Sequence, residues 1–407
     1  MKAAVLENKG VLTYKDVPTP EPGPGHVRLQ VKAISICGSD IKRYVDGHRM
    51  YPLILGHENS GIIDRVGSGV SERYIGKHAA IIPLVPCFEC EQCRRGYYSA
   101  CHSYSFIGSR QSGGFAEYVD LPERNVFILP DDLSFEHAAL IEPSTVARHM
   151  LALGGFTSGL TAIVLGAGSI GLMVVQWLRI LGARLIIVTD ILEDNLQIAS
   201  KTGAHVVLNP SKVDVIKEVQ KLVGDGADLT LEATGVPQVL EQTILVTRPR
   251  GKVVLAGNQP LDKSLHLTFI ENMMRREISL IGCFMSYSAP FPGHEWRETL
   301  AALSDGSLDM DTLISHRYSL SQAPEVFEKI GNPWFLIEID KGHNTVIGED
   351  VTFWRKAQEH GYKIYMDTSI QVGHVGKMIL NKATHELFKK VTEKQWKTTE
   401  AESQKAA

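Results

Sequence analysis

Two periodicities divide the chain. From Ala3 to about Leu129, short segments alternate apolar and polar residues between glycines and prolines. Examples are HVRLQVKAI (26–34), SGIIDRVG (60–67) and FAEYVDLP (115–122), with EPGPG (21–25) as a turn. A period of two broken by turn residues predicts a compact, mostly antiparallel β domain. The pattern changes near Thr157. TAIVL (161–165), RLIIVTD (184–190), HVVLN (205–209), LTLEATG (229–235) and KVVLAG (252–257) are short apolar strands, with helical stretches between most of them. Strands alternating with helices predict a parallel sheet covered on both faces, so the fold class is α/β. Beyond Ile281, FPGHEWRETLAALSDGSL (291–308) and APEVFEKI (323–330) read as helices returning to the first domain. The expected division is a catalytic domain over 1–152 completed by about 290–332, a nucleotide domain over 153–289, and an additional α/β tail over 333–407. The end of that tail, from about Lys382, is polar and rich in Lys, Glu and Thr, and is expected to be a frayed helix or disordered.

Composition narrows the function classes. The 407 residues are 44% hydrophobic and 22% charged, with a formal net charge of −4. That balance suits a globular protein of two or three domains and gives no basic face for nucleic acid. The start, MKAAVLENKG, has no apolar run of the secretory kind. Met150 to Leu178 contains no charge, yet glycines interrupt it, so a buried strand and helix explain it better than a membrane span. A cytoplasmic protein is expected.

Inside that stretch lies a dinucleotide fingerprint. Gly166, Gly168 and Gly171 form G-x-G-x-x-G directly after the strand TAIVL, and a helix opens at Ser169 and Ile170. The first glycine permits a tight turn, the second lets backbone approach a pyrophosphate, and the third allows helix and strand to pack closely. The helix N-terminus offers free N–H groups to the phosphates. Asp190 ends the next strand, 19 residues after Gly171, where a carboxylate would bind the adenosine ribose and repel a 2′-phosphate. The expected cofactor is NAD rather than NADP.

Six cysteines are present, and Cys87, Cys90, Cys93 and Cys101 fall within 15 residues. In a reducing compartment such a cluster is more often a metal site than a pair of disulfides. Four sulfurs suit a closed, structural zinc, whereas nothing else in the chain calls for the redox pair or iron–sulfur cluster that such spacing also allows. A second candidate set is dispersed: Cys37 in ICGSD, His57 and Glu58 in GHE, and Glu142 in IEP. Each alone has an ordinary structural reading. Together, beside a nicotinamide site, they supply the three or so ligands and one open position of a catalytic zinc.

GHENSGIIDRVGSGV, CFECEQC, GGFAEYV and VLGAGSIGL resemble the medium-chain zinc alcohol dehydrogenase family, and the acid in IEP resembles its sorbitol dehydrogenase branch. The resemblance runs from Met1 to about Asn332. It implies a GroES-like β domain joined to a Rossmann-fold doubly wound sheet, two zinc ions per chain, and a homodimer or homotetramer acting on a polyol or polyol phosphate. It places Cys37, His57 and Glu142 at a catalytic zinc, with Glu58 as ligand or neighbouring acid, and Ser39 as the proton-relay hydroxyl. Arg110, Arg297 and His294 are candidates for a substrate phosphate.

The resemblance stops near Asn332. The segment that follows is similar to the C-terminal portion of a GT-A glycosyltransferase, with Glu349, Asp350 and His374 in the matching positions. The nucleotide-sugar half that such an enzyme needs is not found upstream, so a remnant or fused fragment is expected.

Overall fold

The structure, a computed structural model, describes residues 1–258 and 264–331, together with the short strands Ile339–Asp340 and Thr345–Val346. Chain contacts divide it into two units, Met1–Leu336 and Ile337–Ala407. In the second unit the two strands pair antiparallel, Ile339 opposite Val346. Glu349, Asp350, His374 and the polar segment from Lys382 lie outside the described residues.

In the first unit, period-two segments build two antiparallel sheets. One has five strands in the order Val126–Ile128, His78–Ile81, Glu58–Val66, His26–Ser35 and Tyr118–Pro122. The other joins Val11–Asp16, Lys2–Asn8 and Leu53–Ile54. Alternation along His26–Ser35 buries Val27 and Leu29 with Ile63, Val119 and Leu121 from the neighbouring strands. The sequence signal is therefore a direct image of the pleat.

The third sheet has six parallel strands in the order Val206–Leu208, Leu185–Thr189, Thr161–Leu165, Ala227–Glu232, Thr247–Leu255 and Ser279–Gly282. Numbered along the chain, that order is 3-2-1-4-5-6, the doubly wound arrangement in which ligands bind where the winding reverses. All five residues of Thr161–Leu165 are buried because helices cover both faces. The uncharged stretch after Met150 resolves into the end of the helix Ile141–Gly154, this strand, and the helix Ser169–Ile180. No helix among the described residues is long and apolar enough to cross a membrane.

One core joins the β domain to the parallel sheet, running from Phe106, Ile141 and Met150 to Val164, Val174, Leu231 and Trp296. The helix Ala323–Gly331 turns back onto the N-terminal sheet. Its Phe327 is fully buried, edge-on to Tyr44 and Phe115 with ring centroids at 5.7 and 5.4 Å. Phe327→Ala should therefore cost about 3–5 kcal/mol, the usual loss for a buried aromatic side chain. Urea unfolding of the variant checks this, and a loss below about 1 kcal/mol would show that the helix is not seated there.

Candidate functional site

The strand His26–Ser35 runs antiparallel to Glu58–Val66 in a register that sets Ser35 opposite Glu58, and the Ser35 hydroxyl donates to the Glu58 carboxylate. Two residues beyond Ser35, Cys37 caps the helix Gly38–Asp46, its sulfur accepting the Ser39 N–H at 3.4 Å. His57 immediately precedes the paired strand. These two strand ends bring Cys37, His57 and Glu58 together, with ligand atoms all within 4.8 Å of one another.

Glu142 is not in that tight set. It occupies the first turn of Ile141–Gly154, buried, and feels the charges of His57 and Glu58. Burial pushes its carboxyl up to about 7, and burial likewise raises the Glu58 carboxyl and the Cys37 thiol. Three potential anions thus share one water-poor pocket, each disfavoured in its charged form without a cation beside it. A divalent zinc ion supplies that charge, so the donor set fits it.

The surroundings orient the donors. His57 Nδ1 lies 3.5 Å from Oδ1 of the fully buried Asp40, an ion-pair approach without a hydrogen bond. Burial alone would lower the His57 pKa, yet Asp40 and Cys37 raise it well above the usual value. Asp40 Oδ2 has no hydrogen-bond partner among the described residues. Arg43 Nη1 donates to Asp40 Oδ1 at 3.2 Å and to Ser39 Oγ at 2.8 Å, and the Ser39 hydroxyl donates to Cys37 Sγ at 3.2 Å. Sequence reasoning missed Asp40, Arg43 and Ser35, because an acid three residues past a cysteine carries no signal of facing a histidine elsewhere in the chain.

Close backbone packing fixes this pocket. Gly56 holds a φ of +94°, and a β-carbon there would sit 2.4 Å from Ile34 Cδ1 and 2.7 Å from the Phe115 ring. Its carbonyl oxygen would in turn lie 2.3 and 2.1 Å from β-carbons placed on Gly108 and Gly113.

The four clustered cysteines lie apart from this pocket in sequence and share one loop. Their ligand atoms also fall within 4.8 Å of one another, with Cys87 Sγ 3.5 Å from Cys101 Sγ and 3.9 Å from Cys93 Sγ. A tetrahedron with zinc–sulfur bonds of about 2.3 Å has edges near 3.8 Å, so the spacing fits. The Cys90 backbone N–H donates to the Cys87 sulfur and helps lower that thiol to about 6, whereas burial pushes Cys93 up to about 12. All six cysteines are free thiols.

At the parallel sheet the three glycines behave differently. Gly166 has a φ of +98°, a β-carbon on Gly171 would meet the Gly166 carbonyl oxygen at 1.9 Å, and one on Gly168 would meet nothing within 4 Å. Turn, close packing and open approach are thus divided among them. Gly168 caps Ser169–Ile180 without a side-chain hydrogen bond, and Ser169 is exposed, which leaves the helix N-terminus open to an anion. The Asp190 carboxylate accepts the Ala167 and Leu192 N–H groups, both at 2.8 Å, and stands beside this turn. A second wall, also missed, is the loop at Thr234 and Gly235, whose N–H groups donate to the buried Glu232 carboxylate at 2.7 and 2.8 Å.

Two family descriptions match this chain: "Alcohol dehydrogenase GroES-like domain" over residues 23–131 and "Zinc-binding dehydrogenase" over residues 169–305. Galactitol 1-phosphate 5-dehydrogenase of Escherichia coli K12 is 37% identical over 336 residues, covering 81% of this chain and 96% of the relative. Sorbitol dehydrogenase of Bacillus subtilis 168 is 34% identical, covering 81% and 93%. The crystal structure of galactitol-1-phosphate dehydrogenase from Escherichia coli superposes with a TM-score of 0.78 at 36% identity, covering 81% and 96%. Likeness over nearly the whole length of these relatives, in sequence and in fold, makes the chain a member of the zinc-binding alcohol dehydrogenase family, an oxidoreductase that works with zinc and a nicotinamide dinucleotide.

Proposed function

We propose that this enzyme oxidises a secondary hydroxyl of a polyol phosphate, galactitol 1-phosphate being the first candidate, to the corresponding ketone with NAD⁺ as hydride acceptor. The observation that carries the site is the convergence of Cys37, His57 and Glu58 on one buried point, with Glu142 beside it. The substrate class is supported by the 37% identical relative, whose name gives galactitol 1-phosphate. Bound zinc supplies Lewis acidity that lowers the pKa of the alcohol, and the nicotinamide takes up the hydride.

The remaining work belongs to the chain. Cys37, His57 and Glu58 would hold the metal, with Glu142, which feels the charges of His57 and Glu58, as an alternative ligand or a neighbouring acid. Asp40 keeps the His57 ring oriented. Ser39 Oγ, bonded to Cys37 and reached by Arg43, is placed to pass the hydroxyl proton outward. Gly166, Gly168, Ser169, Ile170 and Gly171 present backbone to the pyrophosphate, and Asp190 binds the ribose hydroxyls. Cys87, Cys90, Cys93 and Cys101 hold a structural zinc.

A clustered set of cysteines without disulfide bonds supports a reducing, cytoplasmic setting. The strand Ser279–Gly282 is an exposed sheet edge with Leu280 and Phe284 open to solvent, which supports assembly as a homodimer or homotetramer.

Elemental analysis of the purified enzyme should find about two zinc ions per chain. Cys37→Ser should remove about one of them and abolish turnover while leaving the melting temperature nearly unchanged, because serine caps the same helix well. Cys93→Ser should instead lower the melting temperature. Equal destabilisation by both variants would contradict the division into catalytic and structural sites.

The cofactor preference rests on Asp190. NAD should be favoured over NADP by more than roughly tenfold in kcat/KM, a gap worth about 1.4 kcal/mol. Asp190→Ala should narrow the gap by weakening NAD more than NADP. Comparable efficiency with both cofactors in the unaltered enzyme would remove this reading.

Substrate choice is tested by NAD reduction with galactitol 1-phosphate, sorbitol, xylitol and threonine. The phosphorylated polyol should give the highest kcat/KM. A preference for threonine would reassign the enzyme within its family.

A further inference from the structure

A phosphorylated substrate requires a cation near the buried ligand cluster, and the three candidates differ in what they already hold. His294 is engaged by Ser288 Oγ at 3.2 Å and faces the Glu295 carboxylate at 3.4 Å. Arg297 is exposed on the helix His294–Ser304 and has no contact that draws it to the cluster. Arg110 is placed differently.

The Phe106 ring packs edge-on against the His57 ring, with centroids 5.4 Å apart. From Phe106 the chain makes one tight turn: the Ser109 and Arg110 N–H groups both donate to the Phe106 carbonyl, at 3.2 and 2.8 Å, and the Gly108 N–H donates to Gln111 O at 2.9 Å. The far side of the turn is fastened to the same segment, since the Gly113 N–H donates to Ile54 O and the Gly114 N–H to Gly56 O, at 2.8 and 2.9 Å. The turn that carries Arg110 therefore touches the His57 ring through Phe106 and is bonded through Gly113 and Gly114 to the backbone just before His57.

The guanidinium itself is half-buried and held still. It lies 3.6 Å from the Tyr104 ring centroid, and Nη1 donates to Tyr104 O at 2.8 Å. No carboxylate among the described residues pairs with it, and neither Nε nor Nη2 has a protein hydrogen-bond acceptor there. A cation pre-oriented by an aromatic face, with part of its planar fork unspent, matches the two-oxygen edge of a phosphate. Several other arginines of this domain are neutralised by carboxylates: Arg28 by Asp64 and Glu21, Arg43 by Asp40, Arg65 by Glu21 and Arg95 by Glu91.

We infer that Arg110 is the anion-recognition residue of the substrate pocket, taking the phosphate monoester of the polyol phosphate while the hydroxyl to be oxidised reaches the Cys37, His57 and Glu58 cluster. This rests on the polyol-phosphate reading above. It makes Arg110 a specificity residue: its loss penalises the phosphorylated substrate and spares hydride transfer.

The test uses the zinc-loaded enzyme in two arms, with R110Q and R110K alongside the unaltered chain. Calorimetric titration with inorganic phosphate should show binding that R110Q weakens by about ten- to a hundredfold, the range for losing a charge-assisted hydrogen-bonded contact. R110K, which keeps the charge and loses the fork, should fall between. Steady-state assays should show KM for galactitol 1-phosphate rising by a similar factor in R110Q, with kcat and the kcat/KM for unphosphorylated galactitol nearly unchanged. Zinc content and NAD affinity, measured on each variant, report whether the fold is intact. Phosphate binding equal in all three proteins, or equal losses on phosphorylated and unphosphorylated polyols, would overturn the assignment. Arg110-dependent phosphate binding in an enzyme that does not turn over galactitol 1-phosphate would uphold the anion site and reject the substrate named above.

Discussion

Burying several acids around one imidazole is the constraint on which the rest of this molecule depends. Cys37, Asp40, Glu58 and Glu142 all surround His57, and water reaches little of the group. Removing one carboxylate from water costs several kcal/mol unless charge or hydrogen bonds replace the solvent. Hydrogen bonds from Ser35 and Arg43 compensate part of this. The remainder is a charge deficit of the kind a divalent cation fills. A cluster of this kind persists only where the scaffold prevents the acids from moving apart or reaching water.

The scaffold does this with backbone, without bulky side chains. Gly56, Gly108 and Gly113 let three chain segments approach more closely than any β-carbon would allow. The turn bearing Phe106 and Arg110 is consequently locked to the strand bearing His57 and Glu58. The cofactor turn uses the same device: Gly171 packs against the Gly166 carbonyl, and the helix Ser169–Ile180 starts where the pyrophosphate is expected.

A single helix links the region of the proposed metal ligands to that of the glycine turn. Ile141–Gly154 carries Glu142 in its first turn and packs along Ser169–Ile180, whose Trp177 indole N–H donates to Ser144. Met150 and Leu151 on the same helix enter the core shared with the parallel sheet. A hydride must pass between two groups on different sheets, and effective transfer needs their separation fixed to a fraction of an ångström. A continuous apolar core is a stiff way to fix it.

Sequence alone determined the parts whose chemistry is local. Alternation of period two became the antiparallel sheets, and the strand–helix rhythm after Thr157 became the parallel sheet. The cysteine loop and the glycine turn were legible for the same reason: a metal tetrahedron or a tight turn assembled within 15 residues depends on spacing that the chain itself carries. The buried cluster around His57 was only half legible. Cys37 and His57 stand 20 residues apart and His57 and Glu142 stand 85 apart, and single-sequence spacing does not encode which strand register faces them toward one another. The fold decided that Glu58 joins Cys37 and His57 while Glu142 stands just outside, because Ser35 and Glu58 are paired across two strands whereas Glu142 arrives on a helix. It also decided that Asp40 faces His57, and that Arg110 is carried on a turn bonded to the backbone just before His57. Partner choice among distant side chains is a property of packing, since burial and backbone approach exist only once the chain has folded.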